Sequence, residues 1–114
     1  MNAAARWPDR VAAAASIYGT RLVTEAADSP HLMAKKAKAD IYFGCAERDH
    51  YVPLEMIDAL KTQLETDKVK NAEVELYYAA DHGFAFPLRA VYNKAAAEKH
   101  WERLLSLYRR KLGR

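Results

Sequence analysis

The chain of 114 residues reads as an α/β protein with about three mainly parallel strands and flanking helices. Three observations predict this class. Strand-like runs at residues 10–17, 39–44 and 73–78 alternate with helical patterns, the order that builds a parallel sheet with helical crossovers. An acid, Asp49, and an imidazole, His82, each follow one of those runs, and functional groups of open parallel sheets collect at the carboxyl ends of strands. The hydrophobic share of 51% supplies a core for one domain over residues 1–114, and the length is too short for two ordinary ones.

The elements follow from local chemistry. Ala3, Ala4 and Ala5 favour helix, and Pro8 disfavours helix in the residue before it, so residues 1–7 read as the last turns of a helix. Residues 10–17 (R-V-A-A-A-A-S-I) form an apolar run bounded by Asp9 and Gly19, short enough for a buried strand. Residues 18–38 hold Gly19, Thr20, Thr24, Asp28, Ser29 and Pro30, a loop-rich crossover with one helical turn at 31–37. Ile41, Tyr42 and Phe43 are strand formers that Gly44 ends, and a loop runs over 45–53 to Pro53.

Leu54–Thr66 carries Ile57, Leu60 and Leu64 on one helical face, with Asp58, Lys61 and Glu65 on the other. Residues 73–78 alternate Glu73, Glu75 and Tyr77 with Val74, Leu76 and Tyr78, the period of a half-buried strand. Asn93 then caps a long helix whose Ala97, Trp101, Leu104, Leu105, Tyr108 and Leu112 read as one continuous stripe, ended by Gly113.

Charge and cysteine content narrow the function. Eighteen basic and fifteen acidic residues are interspersed, giving a net charge of +3, which is no nucleic-acid footprint. The basic group Arg109, Arg110, Lys111 and Arg114 closes the last helix, where cations meet the carbonyl end of the dipole. One cysteine, Cys45, forms no intrachain disulfide and fits a reducing compartment, the cytoplasm. No run nears the roughly 18 apolar residues of a membrane helix, and no signal peptide pattern opens the chain. Neither Asp49-His50 nor Asp81-His82 has a helical histidine or cysteine partner, so neither a metal site nor a cofactor is expected.

In covalent hydrolysis a histidine takes the proton of a serine or cysteine nucleophile, and a carboxylate fixes its tautomer and stabilises its cation. Asp49 and His82 suit the last two roles. The segments Arg6-Trp7-Pro8-Asp9-Arg10-Val11, Tyr18-Gly19, Ser29-Pro30-His31-Leu32, Glu47-Arg48-Asp49 with Val52-Pro53, and His82-Gly83-Phe84 occur in an order and at separations that are specific together. With the late run from Ala95 to Trp101, they resemble the carboxyl-terminal half of the dienelactone hydrolases, members of the α/β-hydrolase superfamily. The resemblance implies a truncated α/β-hydrolase fold, Asp49 as the orienting acid, His82 as the base, and small esters or lactones as substrates.

The nucleophile elbow of that family, Gly-x-Ser-x-Gly or Gly-x-Cys-x-Gly, is not among these residues. Its place is upstream of the helix ending near Trp7. Cys45 follows Gly44 but precedes Ala46-Glu47 with no second glycine, so it reads as a core residue, and Ser16, Ser29 and Ser106 lack elbow context. His31 and His50 read as loop histidines and His100 as a helix-face residue. Family members that bind a carboxylated lactone use an arginine soon after the histidine. Here Gly83, Phe84, Ala85 and Phe86 follow His82 and Arg89 comes later, so the resemblance does not carry a dienelactone substrate to this chain.

Two expectations result. One is a hydrolase fragment that retains acid and base, is inactive alone, and works with a complementary half supplying the nucleophile. The other is a non-catalytic oligomerisation or binding domain derived from a hydrolase. In both, the flank of the 10–17 strand would lie open, and an open apolar strand edge predicts a homodimer or higher homo-oligomer.

Overall fold

The computed structural model describes residues 1–113. Three strands, β1 (Ala13–Ile17), β2 (Asp40–Arg48) and β3 (Ala72–Asp81), form one parallel sheet in the order β1-β2-β3. Helix α1 (Asn2–Arg6) precedes β1; α2 (Pro30–Met33) and a 3₁₀ turn (Ala34–Lys36) occupy the first crossover; α3 (Leu54–Thr66) is the second; α4 (Lys94–Leu112) follows β3.

The central strand β2 sorts the core by alternation, since successive side chains point to opposite faces. Ile41, Phe43 and Cys45 pack with Ile57, Leu60 and Leu64 of α3, together with Ala4, Leu22 and Ala34. Tyr42 and Ala46 face the other way, onto Tyr77, Phe84, Leu104 and Leu107. Each large side chain fully enclosed in these layers, Phe43 and Leu60 among them, contributes about 1.5–3 kcal/mol.

The α3 boundaries and the Asn93 cap are as the sequence predicts: the Asn93 side chain accepts from the Ala96 amide at 3.1 Å. Other elements differ from expectation for identifiable reasons. β1 begins at Ala13 because the Arg10 and Val11 amides both donate to the Trp7 carbonyl, closing a turn over residues expected to be strand. β2 runs through Gly44 to Arg48. The glycine makes room rather than ending the strand: a methyl group there would lie 3.2 Å from the rings of both Tyr42 and Tyr77 and 3.3 Å from Ile17.

β3 continues to Asp81 across an irregularity between Ala46 and Arg48 of β2, with Ala79 at φ 57°. The stripe on α4 is split. Ala97 and Leu104 join Ala96, His100 and Leu107 in the core, whereas Trp101, Leu105, Tyr108 and Leu112 are exposed. His100 is buried, its Nδ1 bonded to the Ala97 carbonyl and its ring edge-on to Phe84. No helix of the described residues is long and apolar enough to cross a membrane.

Candidate active site

Asp49 and His82 follow directly on β2 and β3, whose last paired residues are Arg48 and Asp81. The parallel register therefore delivers both to the same end of the sheet. His82 Nδ1 lies 2.7 Å from Asp49 Oδ2, while Asp49 Oδ1 accepts the Tyr51 amide at 2.9 Å. The Asp49 side chain is 0% exposed and that of His82 26%. A carboxylate only accepts, so Nδ1 carries the proton and the neutral imidazole presents the Nε2 lone pair. Tyr18 and Tyr51 flank the ring, each with its centroid 5.0 Å away.

The residues before Asp49 fix the strand that carries His82. Glu47 Oε1 accepts the Ala79 amide at 2.8 Å, and Arg48 Nη2 donates to the Ala79 carbonyl at 2.8 Å. Arg48 also grips Asp81 with two bonds of 3.1 and 3.0 Å. Glu47 and Arg48 thus satisfy both backbone groups of the left-handed Ala79, a conformation costly for a residue with a β-carbon. Arg48 hydrogen bonding holds the Asp81 carboxyl below its ordinary value. Three consecutive residues, Glu47, Arg48 and Asp49, fasten β3 and the imidazole beyond it.

Gly83 turns the chain at φ 89°, which favours glycine. The Phe84 amide returns to the Asp81 carbonyl at 3.1 Å, and the Phe84 carbonyl accepts the Asn93 amide at 3.0 Å, tying the loop to the start of α4. Arg89 folds back over this turn. A methyl group on Gly83 would lie 3.2 Å from its guanidinium carbon, so a residue seven positions after His82 brings a cation beside the turn that carries the histidine.

Tyr18 is a further site residue that sequence reasoning left without a role. At φ 40° it leaves β1 and lays its ring against His82, Phe84 and Phe86. Burial raises its phenol, and the Arg89 charge opposes that rise. A bulky side chain at a strand's carboxyl end, just before a glycine, was the available signal. Beside it a cavity of about 410 Å³ is lined by Ile17, Tyr18, Phe86, Tyr92, His100 and Trp101 among others.

The remaining candidates separate from this cluster. His50 packs at a tilt against Tyr51 with ring centroids 4.1 Å apart, and His31 bonds the buried Ser29 hydroxyl at 2.7 Å. Cys45 is buried in the β2–α3 layer, and burial pushes its thiol up to about 11, the state of an inert core cysteine. Among the described residues no group of three or more His, Cys, Asp or Glu side chains could hold a metal ion.

A family-level match covers residues 1–112, to the Dienelactone hydrolase family. The chain belongs to this family. Among solved structures it is similar to a putative dienelactone hydrolase from Klebsiella pneumoniae subsp. pneumoniae MGH 78578, with 26% identity and a TM-score of 0.81 over 92% of this chain and 44% of that one. It shares its fold with a dienelactone hydrolase-like promiscuous phosphotriesterase from metagenomic libraries, at 22% identity and a TM-score of 0.76, over 94% of this chain and 45% of that one. The chain thus spans less than half the length of these dienelactone hydrolase-like structures. No curated protein matches it.

Proposed function

We propose that this chain carries the acid and the base of an ester or lactone hydrolase. His82 accepts the nucleophile's proton at Nε2 while Asp49 holds Nδ1–H and balances the imidazolium that forms. The observation that carries this reading is the 2.7 Å contact between His82 and a fully enclosed Asp49 at the carboxyl ends of adjacent strands. Family membership supports the reaction class. The serine or cysteine whose proton this base takes is supplied from outside these residues, so the chain has no hydrolase turnover alone. Arg89 beside Gly83 supports an ester whose leaving or acyl portion bears a negative charge. The single cysteine supports a reducing compartment such as the cytoplasm.

The test is a chimera in which residues 1–112 replace the matching part of the Klebsiella pneumoniae relative, assayed on p-nitrophenyl esters beside the unaltered relative. Turnover should appear in the chimera, fall at least about 10³-fold on His82→Ala, and be absent from the 114-residue chain. A folded chimera whose turnover is indifferent to His82→Ala and Asp49→Asn would sink the proposal. A second reading, a non-catalytic assembly domain, is favoured by the exposed apolar row on α4, and turnover in the chimera would argue against it.

A further inference from the structure

Each of the three parallel strands hands one side chain to the same place. Tyr18, Asp49 and His82 are the first residues after β1, β2 and β3. Asp49 and His82 are joined by a hydrogen bond, whereas Tyr18 reaches the imidazole through its ring. Its amide makes the last bond of β1 to the sheet, donating to the Gly44 carbonyl at 2.6 Å. The backbone then turns away at φ 40°, a left-handed conformation that is costly for a bulky residue. At Gly19 the chain folds back closely on β1, where a β-carbon would lie 2.1 Å from Ser16 Oγ. Backbone strain persists where the surroundings over-determine it, and such places collect at functional sites.

The turn aims the Tyr18 ring at His82. The two rings meet edge to face, with centroids 5.0 Å apart and planes at 60°, a separation at which aromatic pairs attract. Tyr18 is itself backed by the core. It meets Phe84 edge to face at 5.2 Å, and Phe84 is fully buried and stacks on Tyr77. Burial raises the Tyr18 phenol, while the Arg89 charge and a hydrogen bond from the Ala85 backbone oppose that rise, so the far end of the side chain is held by the loop that follows the histidine. Tyr51 also lies 5.0 Å from His82, but it is 56% exposed and packs otherwise on His50. Of the two rings beside the imidazole, Tyr18 is the anchored one.

One hydrogen bond does not hold an imidazole in a single orientation. The χ2 torsion of histidine is broad, and ring movements that keep Nδ1 near Asp49 Oδ2 still swing Nε2. A second fixed contact removes that freedom. We propose that Tyr18 is a positioning residue: its ring, set by the left-handed turn after β1, fixes the plane of the His82 imidazole and with it the direction of Nε2. The kinetic consequence rests on His82 being the base of the hydrolase, whereas the restraint on the ring stands without it.

The restraint is read in the 114-residue chain by ¹³C relaxation of the His82 ring and by its ¹⁵N shifts, with circular dichroism as the check on folding. Tyr18→Leu should lower the order parameters of the ring C–H bonds and move the ¹⁵N shifts toward a mixture of tautomers. Tyr18→Met serves as a second variant with the same expected result, Tyr18→Phe should match the wild type, and Tyr51→Leu should change the ring less than Tyr18→Leu. In the chimera described above, Tyr18→Leu should lower kcat on p-nitrophenyl esters about 10- to 100-fold with KM nearly constant, and Tyr18→Phe should restore it. A His82 ring equally ordered with and without the aromatic side chain overturns the proposal, as does a Tyr18→Phe variant as impaired as Tyr18→Leu. A chimera whose turnover needs His82 but ignores Tyr18→Leu overturns it as well and leaves the base assignment standing. A chimera indifferent to His82→Ala removes that assignment instead, and the ring dynamics then decide the restraint.

Discussion

The Asp49 carboxylate receives the His82 Nδ1 proton at 2.7 Å while its second oxygen is occupied by the Tyr51 amide. Both acceptor sites of a side chain with no solvent exposure are thereby used, and the imidazole is held in one tautomer. Replacing the carboxylate by an amide leaves an acceptor for Tyr51 but turns an N–H toward the ring. Asp49→Asn should therefore shift His82 from the Nδ1–H to the Nε2–H tautomer, visible in long-range ¹H–¹⁵N correlation spectra of the ring. Asp49→Ala leaves two donors without a partner and should cost about 1–3 kcal/mol in urea unfolding. An unchanged ring tautomer in Asp49→Asn would break the assigned link.

The clamp on Ala79 makes a separate claim about rigidity. Arg48 and Asp81 are solvent-facing, so their ion pair adds little to global stability. Its role is local, because it holds the strand immediately before the histidine. Arg48→Met should accelerate amide exchange of residues 79–84 roughly tenfold while the urea midpoint stays nearly constant. Uniform acceleration across the sheet would instead make Arg48 an ordinary contributor to overall stability.

The order of strands and helices was legible in period and punctuation, and the α3 boundaries and Asn93 cap were legible because their signals are local. The extent of β2 was not. Gly44 has the look of a strand terminator in sequence, yet its meaning depends on the Tyr42 and Tyr77 rings that crowd it. The far end of β3 was hidden for a similar reason: Ala79 is stabilised by Glu47 and Arg48, more than thirty residues earlier. Asp49 and His82 were readable as strand-end acid and base, with Asp49 as the orienting partner implied by resemblance, while the 2.7 Å geometry of their contact is a product of register. The split of the α4 row was also not readable, since hydrophobicity alone does not say which of two adjacent helical faces meets the sheet.

Cys45 illustrates how burial decides chemistry. Enclosure between β2 and α3 raises its thiol to about 11, a rise that Lys61 opposes and Asp49 reinforces. At neutral pH almost no thiolate exists, and the sulfur is enclosed. A disulfide reagent such as 5,5′-dithiobis-(2-nitrobenzoate) should leave the native chain unmodified over the time in which denatured chain reacts at its single thiol. Rapid stoichiometric labelling of the native chain would place Cys45 in a different environment.

Glu75 links the sheet to α4 and gives the fold an acid-sensitive fastening. Tyr42 donates to Glu75 Oε1 at 2.5 Å, so the Tyr77 hydroxyl, 2.6 Å from Tyr42 Oη, must donate into that oxygen. Lys99 at 3.1 Å and Arg103 at 3.0 Å complete the cluster from the helix. Burial by itself would raise the Glu75 carboxyl, but hydrogen bonds from Tyr42, Arg103 and Lys99 outweigh it and lower the carboxyl to about 2 from an ordinary 4.5. A carboxyl depressed on folding stabilises the native state fully above its unfolded value and loses that contribution as pH falls toward its folded one. Wild-type stability in urea should therefore decline between about pH 4.5 and pH 2. Glu75→Gln should be less stable near neutrality, decline less over that interval, and converge on the wild type at its acid end. Parallel curves for the two proteins would show that Glu75 does not fasten α4 through its charge.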